Sequence, residues 1–434
     1  MEFQLMPGGV ISGEARVPGD KSISHRSIML GALAEGTTRV SGFLEGEDAL
    51  ATVAAFRAMG VSIEGPEEGR VVIHGVGLHG LQAPSGALDM GNSGTSIRLL
   101  SGLLAGQPFD SELTGDVSLC KRPMGRVMDP LRLMGAHIEG AGAGTPPLHI
   151  VGGQTLRGIH YDLPMASAQV KSCVLLAGLY ASGTTSVTEP APTRDHTERM
   201  LRGFGYTVGT EQGVISLAGG GQLRATEIDV PADISSAAFF LVAASIAPGS
   251  DLLLTHVGVN PTRIGVLNIL RAMGADLTLK NAREVGGEPV ADIRVRYAPL
   301  TGIDIPLDQV PLAIDEFPAL FIAAACASGR TVLRGAEELR VKESDRIAAM
   351  AAGLTTLGVV NEVLEDGIVI EGGPMGGGVI NTYHDHRIAM SFAIAALRAN
   401  EEIRILDCDH VSTSFPGFDA LARGLGLQIS ARVD

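Results

Sequence analysis

PGDKSISHR, residues 18–26, follows a strand-like segment (13–17), turns at Pro-Gly and feeds an apolar helix over 28–34. Lys21, Ser22 and Arg26 therefore fall in a strand-to-helix turn and the first turns of the helix. There, backbone N–H groups without helical partners and the positive end of the helix dipole favour an anion. Taken alone, such a turn is also what an ordinary capped helix with surface charges looks like. It is not a P-loop, because the Gly-x-x-x-x-Gly-Lys-Ser/Thr spacing is absent. Recurrence decides between these readings.

From Ser24 onward one pattern repeats six times. An apolar helix is followed by a Thr/Val-rich strand, an amphipathic helix closing on Gly, and one or two short strands. The closing glycines are Gly60, Gly135, Gly205, Gly274, Gly358 and Gly426, spaced 75, 70, 69, 84 and 68 residues apart. Such a period exceeds the usual solenoid repeats, so each copy is a small α/β module. In the first copy Asp48 is expected to cap the second helix and Gly60 to follow its end. Polar clusters stand before the first helix of successive copies: Lys21-Ser22, Asn92 to Thr95, Ser167-Ala168-Gln169, Asp233 to Ser236, Asp315-Glu316, and Asp385-His386-Arg387. Others stand before second helices, at Arg122, at Arg194-Asp195-His196 and over Arg340 to Arg346. Stacked alike, these units would aim several helix N-termini, each carrying about half a positive charge, at one cleft.

The composition fits an anion site of this local kind. The 434 residues suffice for two or more cores, and 45% hydrophobic with 19% charged residues is globular. A net charge of −15 argues against nucleic-acid or anionic-membrane partners. Only five lysines occur, and Lys21, Lys121 and Lys342 lie in the turn motifs, leaving Lys171 and Lys280 elsewhere. The cysteines Cys120, Cys173, Cys326 and Cys408 are dispersed, and no signal peptide is evident. A cytoplasmic protein with reduced thiols is expected, with the monomer as the default state.

PGDKSISHR (18–26), GNSGTSIR (91–98), KRPMGR (121–126), RVKESDR (340–346) and DHR (385–387), in this order, resemble the enolpyruvyltransferases over essentially the whole chain. Within them the likeness is strongest to the branch that acts on shikimate 3-phosphate. The resemblance implies a two-domain inside-out α/β barrel (α/β, or α+β) with three βαβαββ units per domain. One domain would hold both termini (1–19 plus 232–434), the other 20–231, with the active site in the interdomain cleft. The implied reaction moves the enolpyruvyl group of phosphoenolpyruvate to the 5-hydroxyl of shikimate 3-phosphate by addition and elimination, releasing phosphate. It requires no metal and no cofactor.

By position in these motifs, Lys21, Arg122 and Gln169 match the residues that hold the donor phosphate, and Arg346 and Arg387 those that grip its carboxylate. Planar, always-charged guanidinium suits bidentate binding. Gly94 would let the backbone approach the ligand, flanked by Asn92 and Thr95 as further contacts. Ser22, Arg26 and Ser167 match contacts to the acceptor phosphate. Ala168 stands where many relatives have a second serine, and Arg194 would substitute for the lost hydroxyl. Asp315 is the candidate base for the acceptor hydroxyl, and Glu343 the acid and later base at the methylene carbon. Lys342 supports the hydroxyl end, and Lys21 shares the proton work. His386 reads equally well as a ligand contact and as a buried structural histidine. His25 reads as structural, Arg98 as a brace and Cys120 as inert. Two other readings stay open: transfer to UDP-N-acetylglucosamine, and a non-catalytic anion-binding repeat protein. A Lys-Ser rather than Lys-Asn start, and carboxylates beside the cations, argue against them.

Overall fold

The computed structural model describes residues 1–432. Twelve α-helices alternate along the described residues: α1 (Lys21–Leu33), α2 (Glu47–Ala58), α3 (Gly94–Ala105), α4 (Gly125–Leu133), α5 (Ala168–Gly178), α6 (His196–Gly203), α7 (Ile234–Ile246), α8 (Gly265–Ala272), α9 (Phe317–Cys326), α10 (Arg346–Thr356), α11 (His386–Ala395) and α12 (Phe418–Leu425). Odd-numbered helices are buried nearly all round; every residue of α7 is buried. Even-numbered helices show one apolar face, as in α8, where Val266, Leu267, Ile269 and Leu270 are buried and Arg271 is exposed. The two kinds therefore form an inner and an outer layer.

Contacts divide the chain into two compact units, residues 19–230 with 285–287, and residues 1–18, 231–284 and 288–434. In the first, α1, α3 and α5 lie at the centre of one apolar core. Three four-stranded sheets surround them, built to one plan. In the sheet of the third repeat, His160–Asp162 pairs in parallel with Thr184–Thr188. That strand pairs antiparallel with Val214–Ala218, which pairs with Val208–Glu211. Register places Thr185 opposite Leu217 and Val187 opposite Ile215, all four buried against the helices. The ring closes because Glu227–Asp229, from the end of the third repeat, pairs with Glu35–Ser41 of the first.

The second unit repeats the plan around α7, α9 and α11 with its own core. Ser12–Ala15 supplies the parallel edge beside Asp251–Gly258, and Glu2–Gly9 enters the last sheet between Ile403–Leu406 and Leu427–Arg432. In the fifth repeat the parallel edge shrinks to two isolated bridges, Thr301 to Ser328 and Asp304 to Val332. Each unit is thus an inside-out α/β barrel, with helices inside and sheets outside. With no Trp and 57 Gly, such a core closes by bringing backbones near. A Cβ on Gly102 of α3 would sit 2.3 Å from the Cys173 carbonyl oxygen of α5. No helix among the described residues is long and apolar enough to cross a membrane.

Local structure agrees with the period in one respect and corrects it in another. All six closing glycines have positive φ, from +79° at Gly358 to +118° at Gly426, the left-handed turn that ends a helix. Asp48, however, does not cap α2: the helix starts at Glu47 from Gly46 without a side-chain cap. Asp48 instead lies inside the first turn, buried, where it meets Lys21.

Gly358 isolates the backbone term, because a Cβ there would meet nothing within 4 Å. Gly358→Ala is expected to destabilise the fold by about 1 kcal/mol through left-handed strain alone, read as a lower denaturation midpoint in urea.

Candidate active-site residues

In the unit of residues 19–230, the candidate side chains cluster where α1, α3 and α5 begin. These buried helices need partners for their first N–H groups. Asp20 accepts from Ile23 N, Ser93 from Ser96 N and Ser167 from Val170 N. Lys21 follows its cap directly and pairs with Asp48 Oδ2 at 3.0 Å. Gln169, one residue into α5, accepts from Arg98 Nη1 at 2.6 Å and donates to Thr95 Oγ1 at 3.1 Å. Arg122 donates to Asn92 Oδ1 at 2.6 Å, while Asn92 donates to Asp116. Gly94 lies between the two arginines: a Cβ would come within 3.0 Å of Arg98 Nη1 and 3.1 Å of Arg122 Nη1. Asn92, Gly94, Thr95, Arg122 and Gln169 are therefore one continuous set, with Arg98 as the brace between them.

Arg26 is placed differently. It is 4% exposed, and its guanidinium donates to Thr197 Oγ1, Ser22 O and Ser172 Oγ. It ties the Ser22 turn to α5 and α6. Ser22, Ser167, Ala168 and Arg194 are half-buried. His25 is fully buried and linked through Thr52 to Ser96 and Ser93. Burial, with Lys21 and Arg26 nearby, holds its imidazole well below the usual histidine range, so it is neutral. Burial likewise pushes Cys173 up to about 12.

In the other unit the corresponding helix starts carry acids. Arg346, first residue of α10 and 1% exposed, is the hub. Its Nε donates to Asp385 Oδ2 at 2.8 Å, its Nη2 to Glu343 Oε2 at 2.6 Å, and its Nη1 lies 3.4 Å from Asp315 Oδ1. Burial opposes its charge, but Asp385, Glu343 and Asp315 outweigh burial and hold the proton more tightly than in water. Asp385 also caps α11 through Arg387 N and accepts from Ser344. Burial raises its carboxyl, yet Arg346 brings the net shift below the usual range. Lys342 approaches Asp315 at 3.6 Å, and Arg387 Nη1 donates to the Asp315 carbonyl at 3.0 Å. Asp315 is no helix cap; Glu316 occupies that position in α9. His386 is buried in the first turn of α11, beside Asp385.

Asp315, Lys342, Glu343, Arg346 and Arg387 are thus brought together. The residue that sequence reasoning passes over is Asp385, the acid on which Arg346 rests. Its one signal is the DHR triplet, where the two basic residues draw the functional reading and the acid does not. Asp48 is missed as the partner of Lys21, because 27 residues separate them.

The family described as EPSP synthase (3-phosphoshikimate 1-carboxyvinyltransferase) matches residues 5–421. A protein of Methylococcus capsulatus named 3-phosphoshikimate 1-carboxyvinyltransferase is 68% identical over 427 residues, covering 98% of each chain. One of the same name from Alkalilimnicola ehrlichii is 68% identical, covering 99% of this chain and 97% of its own. Among solved structures, an EPSP synthase from Acinetobacter baumannii superposes with a TM-score of 0.89 at 63% identity, covering 99% of both chains. The chain belongs to the EPSP synthase family, enolpyruvyltransferases of the shikimate pathway.

The buried charges lead to two expectations. Asp385→Asn leaves Arg346 with a weakened partner set and should cost about 3 kcal/mol, seen as a lower thermal midpoint. His25, with its pKa depressed, is neutral when folded, whereas the unfolded chain binds a proton below about 6.5. Stability is therefore complete above that pH and lost as pH falls toward the folded value, by up to about 1.4 kcal/mol per pH unit. His25→Gln should remove one proton from that slope in denaturation curves between pH 7 and 5.

Proposed function

We propose that the chain transfers the enolpyruvyl group of phosphoenolpyruvate to the 5-hydroxyl of shikimate 3-phosphate, as the names of its relatives indicate. The observation that carries the reading is the Arg346 hub, which holds the Asp315 and Glu343 carboxylates on one guanidinium. An anion-binding protein gains nothing from two acids beside its cations; proton transfer needs both.

Asp315 takes the proton of the acceptor hydroxyl as its oxygen adds to the enol carbon of the donor. Glu343 supplies a proton to the methylene carbon, giving the tetrahedral intermediate. Elimination then expels phosphate while Glu343 recovers a proton from that carbon, so the enolpyruvyl double bond returns. Arg387 and Arg346 hold the donor carboxylate. On Arg346 a substrate carboxylate replaces Glu343, whose release frees it to act on carbon. Lys342, 3.6 Å from Asp315, supports the hydroxyl end of the acceptor. Lys21, Arg122 and Gln169 take the donor phosphate, with Gly94, Asn92 and Thr95 completing the floor. Ser22, Ser167 and Arg194 take the acceptor phosphate, Ala168 adding no hydroxyl. Arg26 joins them at the acceptor phosphate and also holds the Ser22 turn, donating to the Ser22 carbonyl.

The test is phosphate release from phosphoenolpyruvate with shikimate 3-phosphate or with UDP-N-acetylglucosamine as acceptor. Release with the first alone is expected. Release with the second alone would reassign the acceptor, and none with either would leave a binding role. Asp315→Asn and Glu343→Gln should each lower kcat by about 10²–10⁴. Full turnover in either variant removes that residue from the scheme.

A further inference from the structure

Lys171 lies two residues beyond Gln169 in the apolar body of α5, is 1% exposed, and takes no part in the steps above. Its ammonium is 2.9 Å from Glu198 Oε1 and 3.1 Å from Glu189 Oε2, and 3.5 Å from the Thr193 carbonyl. The Thr193 hydroxyl donates to the other Glu189 oxygen. Glu198 is buried and its second oxygen makes no hydrogen bond, so Lys171 supplies its compensating charge.

These ties have a direction in the chain. Glu189 directly follows the strand Thr184–Thr188, and Glu198 lies in the first turn of α6. The segment between them carries Arg194, immediately after Thr193. Lys171 therefore holds that segment at both ends and at its middle. The same polar island continues through Thr197, which accepts from Arg26 and donates to Ser172. Buried ion clusters of this kind are replaceable by apolar packing with little loss of stability, so stability alone does not account for a lysine in an otherwise apolar helix.

We infer that Lys171 is a positioning residue for the acceptor: clamped by Glu189 and Glu198, it fixes the segment that presents Arg194 and so sets affinity for the acceptor phosphate. The inference rests on the function proposed above. It concerns one substrate only, because Lys21, Arg122 and Gln169, assigned to the donor, are anchored by other partners.

The experiment is steady-state kinetics of Lys171→Met with each substrate varied, alongside the wild type, Arg194→Ala and the double variant. The expected result is an acceptor KM raised about tenfold, with donor KM and kcat within about threefold. In the Arg194→Ala background, Lys171→Met should add little, because both changes remove one interaction. Lys171→Met/Glu198→Gln, which removes one of the two stranded charges, should recover part of the acceptor affinity. Equal rises in both KM values, or full additivity with Arg194→Ala, would show a merely structural role and overturn the inference. Should Lys171→Met fail to fold, Glu198→Gln loosens one tie without stranding a carboxylate. It should raise acceptor KM selectively, and an unchanged value there overturns the inference too. A wild type without turnover on shikimate 3-phosphate overturns both this inference and the reading beneath it.

Discussion

A helix buried on all sides cannot send the N–H groups of its first turn to water. Six helices of this chain are in that position, and five of them end the problem with a side chain: Asp20, Ser93, Ser167, Asp233 and Asp385. The sixth, α9, has Pro318 in its first turn, which removes one donor outright. Among the amphipathic partners, which lie outside, only α10 has such a side-chain cap, Asp345. Polar chemistry thus collects where the inner helices start, and the rest of each unit is arranged to bury their apolar bodies.

The choice of cap then sets the charge of the neighbourhood. In the unit that holds α7, α9 and α11, two acidic caps each draw in a buried arginine. Arg263 reaches Asp233 and Ser235 and lies near Glu316, as Arg346 reaches Asp385 and lies near Asp315. Each arginine links the start of one inner helix to the start of the next. Burying a guanidinium costs several kcal/mol unless it is paired on more than one side, and both are. In the other unit serine caps α3 and α5, and the cations beside them meet Asp48 (Lys21), Gln169 (Arg98) and Asn92 (Arg122).

This difference explains what could be read without the structure. The repeats, their glycine ends and the motif residues at helix starts are local patterns, with periods and spacings that survive in one dimension. What is not local is the second partner of each charge. Lys21 and Asp48 lie on different helices, and Asp48 carries the sequence features of a cap. Asp385 reads as the first letter of a motif whose arginine attracts attention. Lys171 sits in a helix otherwise fit for a core, and its acids come from a strand end and from α6. In each case the missing information is which helix starts lie side by side, and sheet closure decides that.

The Arg346 hub also bears on how one carboxyl can both give and take a proton. Asp315, Glu343 and Asp385 place three negative charges around Arg346, with Lys342 near Asp315 and Arg387 on its carbonyl. Asp385 is fully buried and fixed by the cap it makes, so it stays ionised. A donor carboxylate entering this group adds a negative charge and competes for the guanidinium that Glu343 holds. In the proposed scheme both effects release Glu343 from Arg346. Under that scheme, once the proton has gone to carbon, Glu343 would be a carboxylate among like charges with its guanidinium partner taken, placed to take a proton back as phosphate leaves. In the proposed scheme the same side chain would be acid before the intermediate and base after it, driven by the charge that the substrate itself brings and releases.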